Sequence, residues 1–183
     1  MADALLVIGI HRAELAFGQQ VAAGLNPALV AVLAIPEGIN GQHPRADQRF
    51  HYDTLHRALY LQLLPHVHQG KYTLLMDLHS GLDPQGLNAD IFSATPERLA
   101  PCLAGTVPLT PQPRLVRLGT HEGDNDSDHA FAAGHTVIPA EVWRHRDFQY
   151  VGIEIYLQSN QGGSPSETTY ARDLITRLAV MAQ

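Results

Sequence analysis

Leu5-Leu-Val-Ile-Gly-Ile10 is a short, uninterrupted apolar run, the pattern of a strand covered on both faces inside an α/β sheet. Downstream, Leu15, Ala16, Gln19, Gln20 and Ala23 recur at helical spacing and Gly24 supplies a stop, so residues 13–23 read as a helix. Residues 29–35 read as a second buried strand. A polar stretch with Pro36, Gly38, Asn40, Gly41 and Pro44 then predicts a long loop reaching Arg49. Residues 53–66 place Leu55, Leu59, Tyr60 and Leu63 on one side of a helix, with Asp53 as its expected cap and Gly70 beyond its end.

Lys71-Tyr-Thr-Leu-Leu-Met-Asp-Leu78 reads as a third strand, followed by a loop over 80–84. Further on, the pattern predicts a helix over 96–104, a strand over 115–118, an acidic loop over 119–128 and a strand over 150–157. An amphipathic helix over 164–181 closes the chain, with Leu174, Ile175, Leu178 and Met181 on one face. Strands alternating with helices imply a three-layer α/β/α sandwich around a mixed, mostly parallel sheet, organised as one domain over 1–183. Functional groups in such folds gather beyond the carboxyl ends of the strands.

Composition narrows the chemistry. The 183 residues are 45% hydrophobic and 16% charged, enough for a domain that buries roughly 70% of its unfolded surface. Twelve Lys and Arg against eighteen Asp and Glu give a net charge of −6, and no basic run offers the stripe that nucleic acid requires. The first apolar run is too short for a signal peptide or a membrane span, so a cytoplasmic location is the default expectation. Cys102 is the only cysteine, which excludes an internal disulfide and a multi-thiolate metal site. Eleven histidines leave imidazole and carboxylate as the available metal chemistry.

Three places carry that chemistry. His11 follows the first strand and Glu14 comes three residues later, so one strand-to-helix turn can aim an imidazole and a carboxylate at the same spot. Asp77-Leu-His79 ends the third strand, with Asp77 on the same strand face as His79 and able to orient its ring. Two histidines and a glutamate form the ligand set that leaves a fourth zinc position open. Glu154 lies inside the apolar Val151-Gly-Ile-Glu-Ile155, where a carboxylate is costly unless paired or useful, and a catalytic base suits that setting.

Other groups are weaker. His66 and His68 sit two apart near a helix end and are expected to face solvent. Asp124, Asp126 and Asp128 alternate like a calcium loop, but His129 stands where the turn needs glycine. Cys102 reads as a structural thiol, and no phosphate-cradling glycine motif or nucleophile elbow is present.

The order His11-x-x-Glu14, then Arg49-Phe-His-Tyr-Asp-Thr-Leu-His-Arg57, then Asp77-Leu-His79, then Gly152-Ile-Glu154, then Gln161-Gly-Gly and a closing helix resembles the aspartoacylase and succinylglutamate desuccinylase family of the zinc carboxypeptidase superfamily. The resemblance implies one zinc ion held by His11, Glu14 and His79, with Glu154 as general base. It implies that Arg49 steadies the oxyanion and that Arg57, with His56 and Tyr156, binds substrate. The implied reaction is hydrolysis of the amide bond of an N-acyl amino acid or short peptide. His56 stands where the family has Asn, and Tyr156 where relatives often have Gly. Full-length aspartoacylase relatives continue into a β-rich domain, so the expected site is more open or is covered by a neighbour in a homo-oligomer. The alternatives are a metallocarboxypeptidase acting on peptide or peptidoglycan fragments, an inactive metal-binding module, and a metal-free interaction domain.

Overall fold

The computed structural model describes residues 2–40, 49–105, 107–119, 131–159 and 162–183, with Arg49 and Phe50 described by their backbone. Strand β1 (Ala4–Ile8) leads through a 3-10 turn (Arg12–Glu14) into α1 (Leu15–Ala22), and β2 (Val30–Ala34) follows. Helix α2 (Arg49–Gly70) returns the chain to β3 (Leu74–Leu82), and β4 (Asn88–Ser93), α3 (Pro96–Ala104) and β5 (Arg114–Gly119) come next. The chain closes with β6 (Ala132–His135), α4 (Ala140–Trp143), β7 (Gln149–Leu157) and α5 (Pro165–Met181).

All the strands join one seven-stranded sheet in the order β2-β1-β3-β7-β4-β5-β6. Every pairing is parallel except β4 with β7. The sheet is therefore mixed and mostly parallel, as the alternation of strand and helix patterns predicts. Alternate strand residues bury two separate cores. Leu6, Ile8, Met76, Leu78, Ile153 and Ile155 pack with Phe17, Leu99, Leu174 and Leu178 from α1, α3 and α5. Leu5, Val7, Leu75 and Tyr150 pack with Tyr60, Leu63, Val67, Val142 and Trp143 from α2 and α4. Two helical layers thus enclose the sheet. Among the described residues no helix is long and apolar enough to cross a membrane.

Several expected boundaries move. The predicted loop over 80–84 is strand as far as Leu82, because Ser80, Gly81 and Leu82 continue the ladder with Ile155, Tyr156 and Leu157. Asp53 lies inside α2 instead of capping it, since that helix begins at Arg49 and runs through Pro65 to Gly70. Strands β4 and β6 and the short α4 carry no clear periodic signal, and long-range pairing and packing create them. The closing helix starts where predicted, with Ser164 and Glu167 forming a reciprocal capping box. Asp124, Asp126, Asp128 and Gln161 lie outside the described residues.

The topology sets the site. From β1 the chain crosses one face through α1 to β2, then returns over the other face through α2 to β3 on the far side of β1. The carboxyl ends of β1 and β3 therefore flank a switch point.

Candidate metal and catalytic site

His11 is held at the exit of β1 by backbone as well as side chain. The Ile39 amide donates to the Ile10 carbonyl at 2.7 Å and the Arg12 amide donates to the Ile39 carbonyl at 3.0 Å, so residue 39 pairs beside His11 as a one-residue bridge. Two glycines permit this approach. Gly9 has φ +83°, and a Cβ on Gly38 would lie 1.9 Å from the Gly9 carbonyl oxygen. The following 3-10 turn swings Glu14 back toward His11.

The Glu14 carboxylate joins two histidines. His11 Nδ1 lies 2.9 Å from its Oε1 and His79 Nδ1 lies 2.9 Å from its Oε2. The ligand atoms of all three residues fall within 4.8 Å of one another. On the far side of its ring, His79 Nε2 lies 2.9 Å from Asp77 Oδ2. A carboxylate only accepts, so Nε2 carries the hydrogen and a neutral His79 turns its Nδ1 lone pair toward Glu14. A lone pair facing a carboxylate oxygen calls for a cation between them, and this donor set fits a divalent metal ion with an open position.

Electrostatics favours a positive charge beside Glu14. Burial opposes charge on Glu14, yet the facing His11 and His79 rings hold its carboxyl below the ordinary range. Burial would lower His79, but the charge and hydrogen bond of Asp77, with Glu14, hold it well above its ordinary value. Asp77 is fully buried, and its Oδ2 also accepts from the hydroxyls of Tyr60 and of Tyr150, the latter at 3.2 Å. Those two phenols tie the orienting carboxylate to α2 and β7.

Glu154 faces this cluster from β7 as the register partner of His79. Burial, offset in part by His79, pushes its carboxyl up to about 7. A Cβ on Gly81 would lie 2.9 Å from Glu154 Oε1 and 3.0 Å from the Tyr156 ring, so glycine there is the space that Glu154 occupies. Glu154 is thus a carboxylate poised near neutrality on the same sheet face as the histidine cluster, the electrostatic setting of a proton acceptor.

Beyond Glu154 the row continues along the sheet. Asp90 on β4 is the register partner of Glu154, and Arg114 on β5 is the register partner of Asp90. The buried Asp90 accepts from Arg114 Nε at 2.8 Å, from Arg114 Nη2 at 2.5 Å and from the Tyr156 hydroxyl at 3.1 Å. Burial and the charge of Asp90 push the Tyr156 phenol up to about 12. The sequence analysis missed Asp90 and Arg114. The available signal was an aspartate inside Ala89-Asp-Ile-Phe92, the same irregularity that singled out Glu154.

The remaining expected residues separate. His56 is buried and approaches His11, while the Tyr52 hydroxyl lies 3.3 Å from His11 Nε2. Burial and the neighbouring His11 and His79 keep the His56 ring below its ordinary pKa. Arg57 points elsewhere, its guanidinium pairing with exposed Glu141 of α4 at 2.9 Å. Arg49 opens α2, and its side chain lies outside the described residues. Cys102 is partly buried, with its thiol donating to the Leu99 carbonyl.

A second cluster, His68, His145 and Asp147, also brings its ligand atoms together. There His145 Nδ1 already accepts the Asp147 amide at 3.1 Å, which leaves the other nitrogen of a neutral ring as a donor.

No protein-family model matches the sequence, and no curated protein matches it. Among solved structures, the chain is similar to the catalytic domain of CwlV, an N-acetylmuramoyl-L-alanine amidase from Bacillus (Paenibacillus) polymyxa. That similarity has 14% identity and a TM-score of 0.47, covering 97% of this chain and 95% of that one. It is also similar to the CwlD amidase from Clostridioides difficile, solved in complex with the GerS lipoprotein, at 10% identity and a TM-score of 0.47 over 98% of this chain and 94% of that one. A third similarity is to murine aminoacylase 3, at 15% identity and a TM-score of 0.46 over 98% of this chain and 63% of that one.

Proposed function

We propose that this protein is a metal-dependent hydrolase, with zinc as the expected ion, that cleaves the amide bond of an N-acyl amino acid or short peptide. The observation that carries the reading is the convergence of His11 Nδ1 and His79 Nδ1 on the two oxygens of one carboxylate, Glu14, with Glu154 in register beside His79. His11, Glu14 and His79 would hold the ion, which when bound acidifies water and polarises a carbonyl. Glu154 takes the proton from the attacking water at its carboxylate and delivers it to the departing amine nitrogen. Its burial and the Gly81 gap suit it to both transfers. The sequence resemblance to the aspartoacylase and succinylglutamate desuccinylase family supports the same assignment and adds Arg49 as the residue that steadies the oxyanion.

Substrate recognition is assigned differently from the sequence-based expectation. The Tyr52 carbonyl and His11 engage both ring nitrogens of His56, and Glu141 engages Arg57. Tyr156, held by Asp90, is the expected substrate-contacting group that remains on the face of Glu154. Arg57 would reach a substrate carboxylate only by leaving Glu141, and that salt bridge is exposed and weak.

The test is metal content of protein purified without chelator or a histidine tag, compared with a folded His79→Ala variant. It is followed by a panel of N-acyl amino acids, short peptides and peptidoglycan fragments. About one zinc per chain, lost in the variant, together with zinc-dependent release of an amine is the expected result. Folded protein that takes up no stoichiometric metal when zinc is supplied overturns the reading.

A further inference from the structure

We infer that His56 is a positioning residue: it accepts the Nε2 hydrogen of His11 and so fixes the imidazole tautomer that turns the His11 Nδ1 lone pair toward Glu14. The inference rests on the cation site proposed above and assigns a role inside it.

The geometry that carries it starts in α2. His56 Nδ1 lies 3.0 Å from the backbone carbonyl of Tyr52, one helical turn earlier. A carbonyl oxygen only accepts, so Nδ1 bears the hydrogen, and a neutral ring with a hydrogen on Nδ1 has a bare Nε2. That bare nitrogen lies 2.9 Å from His11 Nε2. Of two facing nitrogens one must donate, and His56 has no hydrogen there to give. His11 therefore carries its hydrogen on Nε2 and presents Nδ1 as a lone pair, on the side where Glu14 Oε1 sits at 2.9 Å.

Neighbouring groups support this assignment. The Tyr52 hydroxyl, 3.3 Å from His11 Nε2, can accept from the same hydrogen through its oxygen. The Tyr52 ring packs on His56 with centroids 4.1 Å apart, and His56 is 4% exposed, so the ring is held in place. The two histidines of the site are thus prepared by different partners. His79 is oriented by a carboxylate, Asp77, and His11 by a neutral imidazole. The second arrangement selects a tautomer without adding another negative charge beside the cation position.

The experiment measures zinc affinity by competition with a chromophoric chelator for wild type, His56→Phe and His56→Gln. It also reads the His11 tautomer from two-bond proton–nitrogen couplings in metal-free wild-type protein labelled at histidine nitrogen, with His11→Gln identifying the signal. Phe keeps a planar ring and removes the acceptor, and should weaken zinc binding about 10–100-fold, the usual cost of losing an outer partner of a ligating histidine. Gln keeps a carbonyl acceptor and should restore most of that loss, and wild-type His11 should carry its hydrogen on Nε2. Zinc binding that is unchanged in a folded His56→Phe variant, or a His11 that bears its hydrogen on Nδ1, overturns the inference and leaves the metal site standing. If His56→Phe fails to fold, the wild-type tautomer decides. Wild-type protein that binds no zinc through His79 overturns both.

Discussion

His79 of β3 and Glu154 of β7 are register partners in a parallel ladder, so the proposed metal ligand and the proposed base leave the sheet from the same face at the same level. Replacing Glu154 by Gln keeps the shape and removes the proton acceptor. Amide hydrolysis should fall about 10²–10⁴-fold with zinc stoichiometry unchanged, read by kcat/KM and metal analysis on the same preparation. Equal activity in the variant would remove Glu154 from the reaction.

The same carboxyl should shape stability in metal-free protein. Its folded value, pushed up to about 7 by burial, exceeds the ordinary value of 4.5, so the fold favours the neutral acid. That contribution is fully present below pH 4.5 and is lost as pH rises through 7. The difference corresponds to at most about 3 kcal/mol. Urea denaturation of wild type at pH 5 and pH 8 should show a loss that Glu154→Gln does not share. Parallel profiles for the two proteins would refute it.

Gly81→Ala should act on chemistry more than on folding. The added methyl would meet Glu154 Oε1 at 2.9 Å and the Tyr156 ring at 3.0 Å, and the mobile carboxylate gives way first. A displaced base costs on the order of 10²-fold in rate per ångström. The expected signature is a drop in kcat of at least tenfold with Tm nearly unchanged. A large fall in Tm with intact kcat would place the strain elsewhere.

Asp77→Asn removes the charge that the Tyr60 and Tyr150 hydroxyls and His79 Nε2 all address. Zinc affinity should weaken about 10–100-fold, with a milder effect for Tyr60→Phe, which leaves the His79 contact in place. Chelator competition on both variants checks the ranking.

Arg114→Ala strands a buried carboxylate. Asp90 is 2% exposed while its partner's side chain is 64% exposed, so the cost lies on the Asp90 side, about 2 kcal/mol. Denaturant titration measures it. A double-mutant cycle with Tyr156→Phe should show coupling, because both groups donate to Asp90 Oδ2.

The residues that could be read from sequence are those whose surroundings are local. His11 and Glu14 share one turn, and His79 and Glu154 stand out as polar groups in apolar strands. The two-sided burial of β1, β3 and β7 follows from their largely apolar sequences. What escaped depends on partners distant in sequence. Asn88-Ala-Asp-Ile-Phe-Ser93 has too few large apolar residues to announce a strand, and it becomes one by pairing with residues 60 to 68 positions later. The extension of β3 through Gly81 has the same origin. His56 is adjacent to Arg57 in sequence, yet helical geometry turns one ring into the site and sends the other side chain toward α4.

The placement of β7 between β3 and β4 also orders events during folding. Those two strands are joined by residues 83–87, and the Asp83 amide donates to the Leu157 carbonyl at 2.9 Å, so the link arches over the end of a strand made much later. The sheet cannot close until residues 149–157 enter a slot whose two walls are already tethered. Assembly is therefore gated by long-range contacts and is slow for a chain of this size. A nascent chain that has not yet released β7 from the ribosome presents two strand edges instead of a continuous sheet. Glu154 arrives with that last strand, so the proposed base is delivered by the step that completes the sheet.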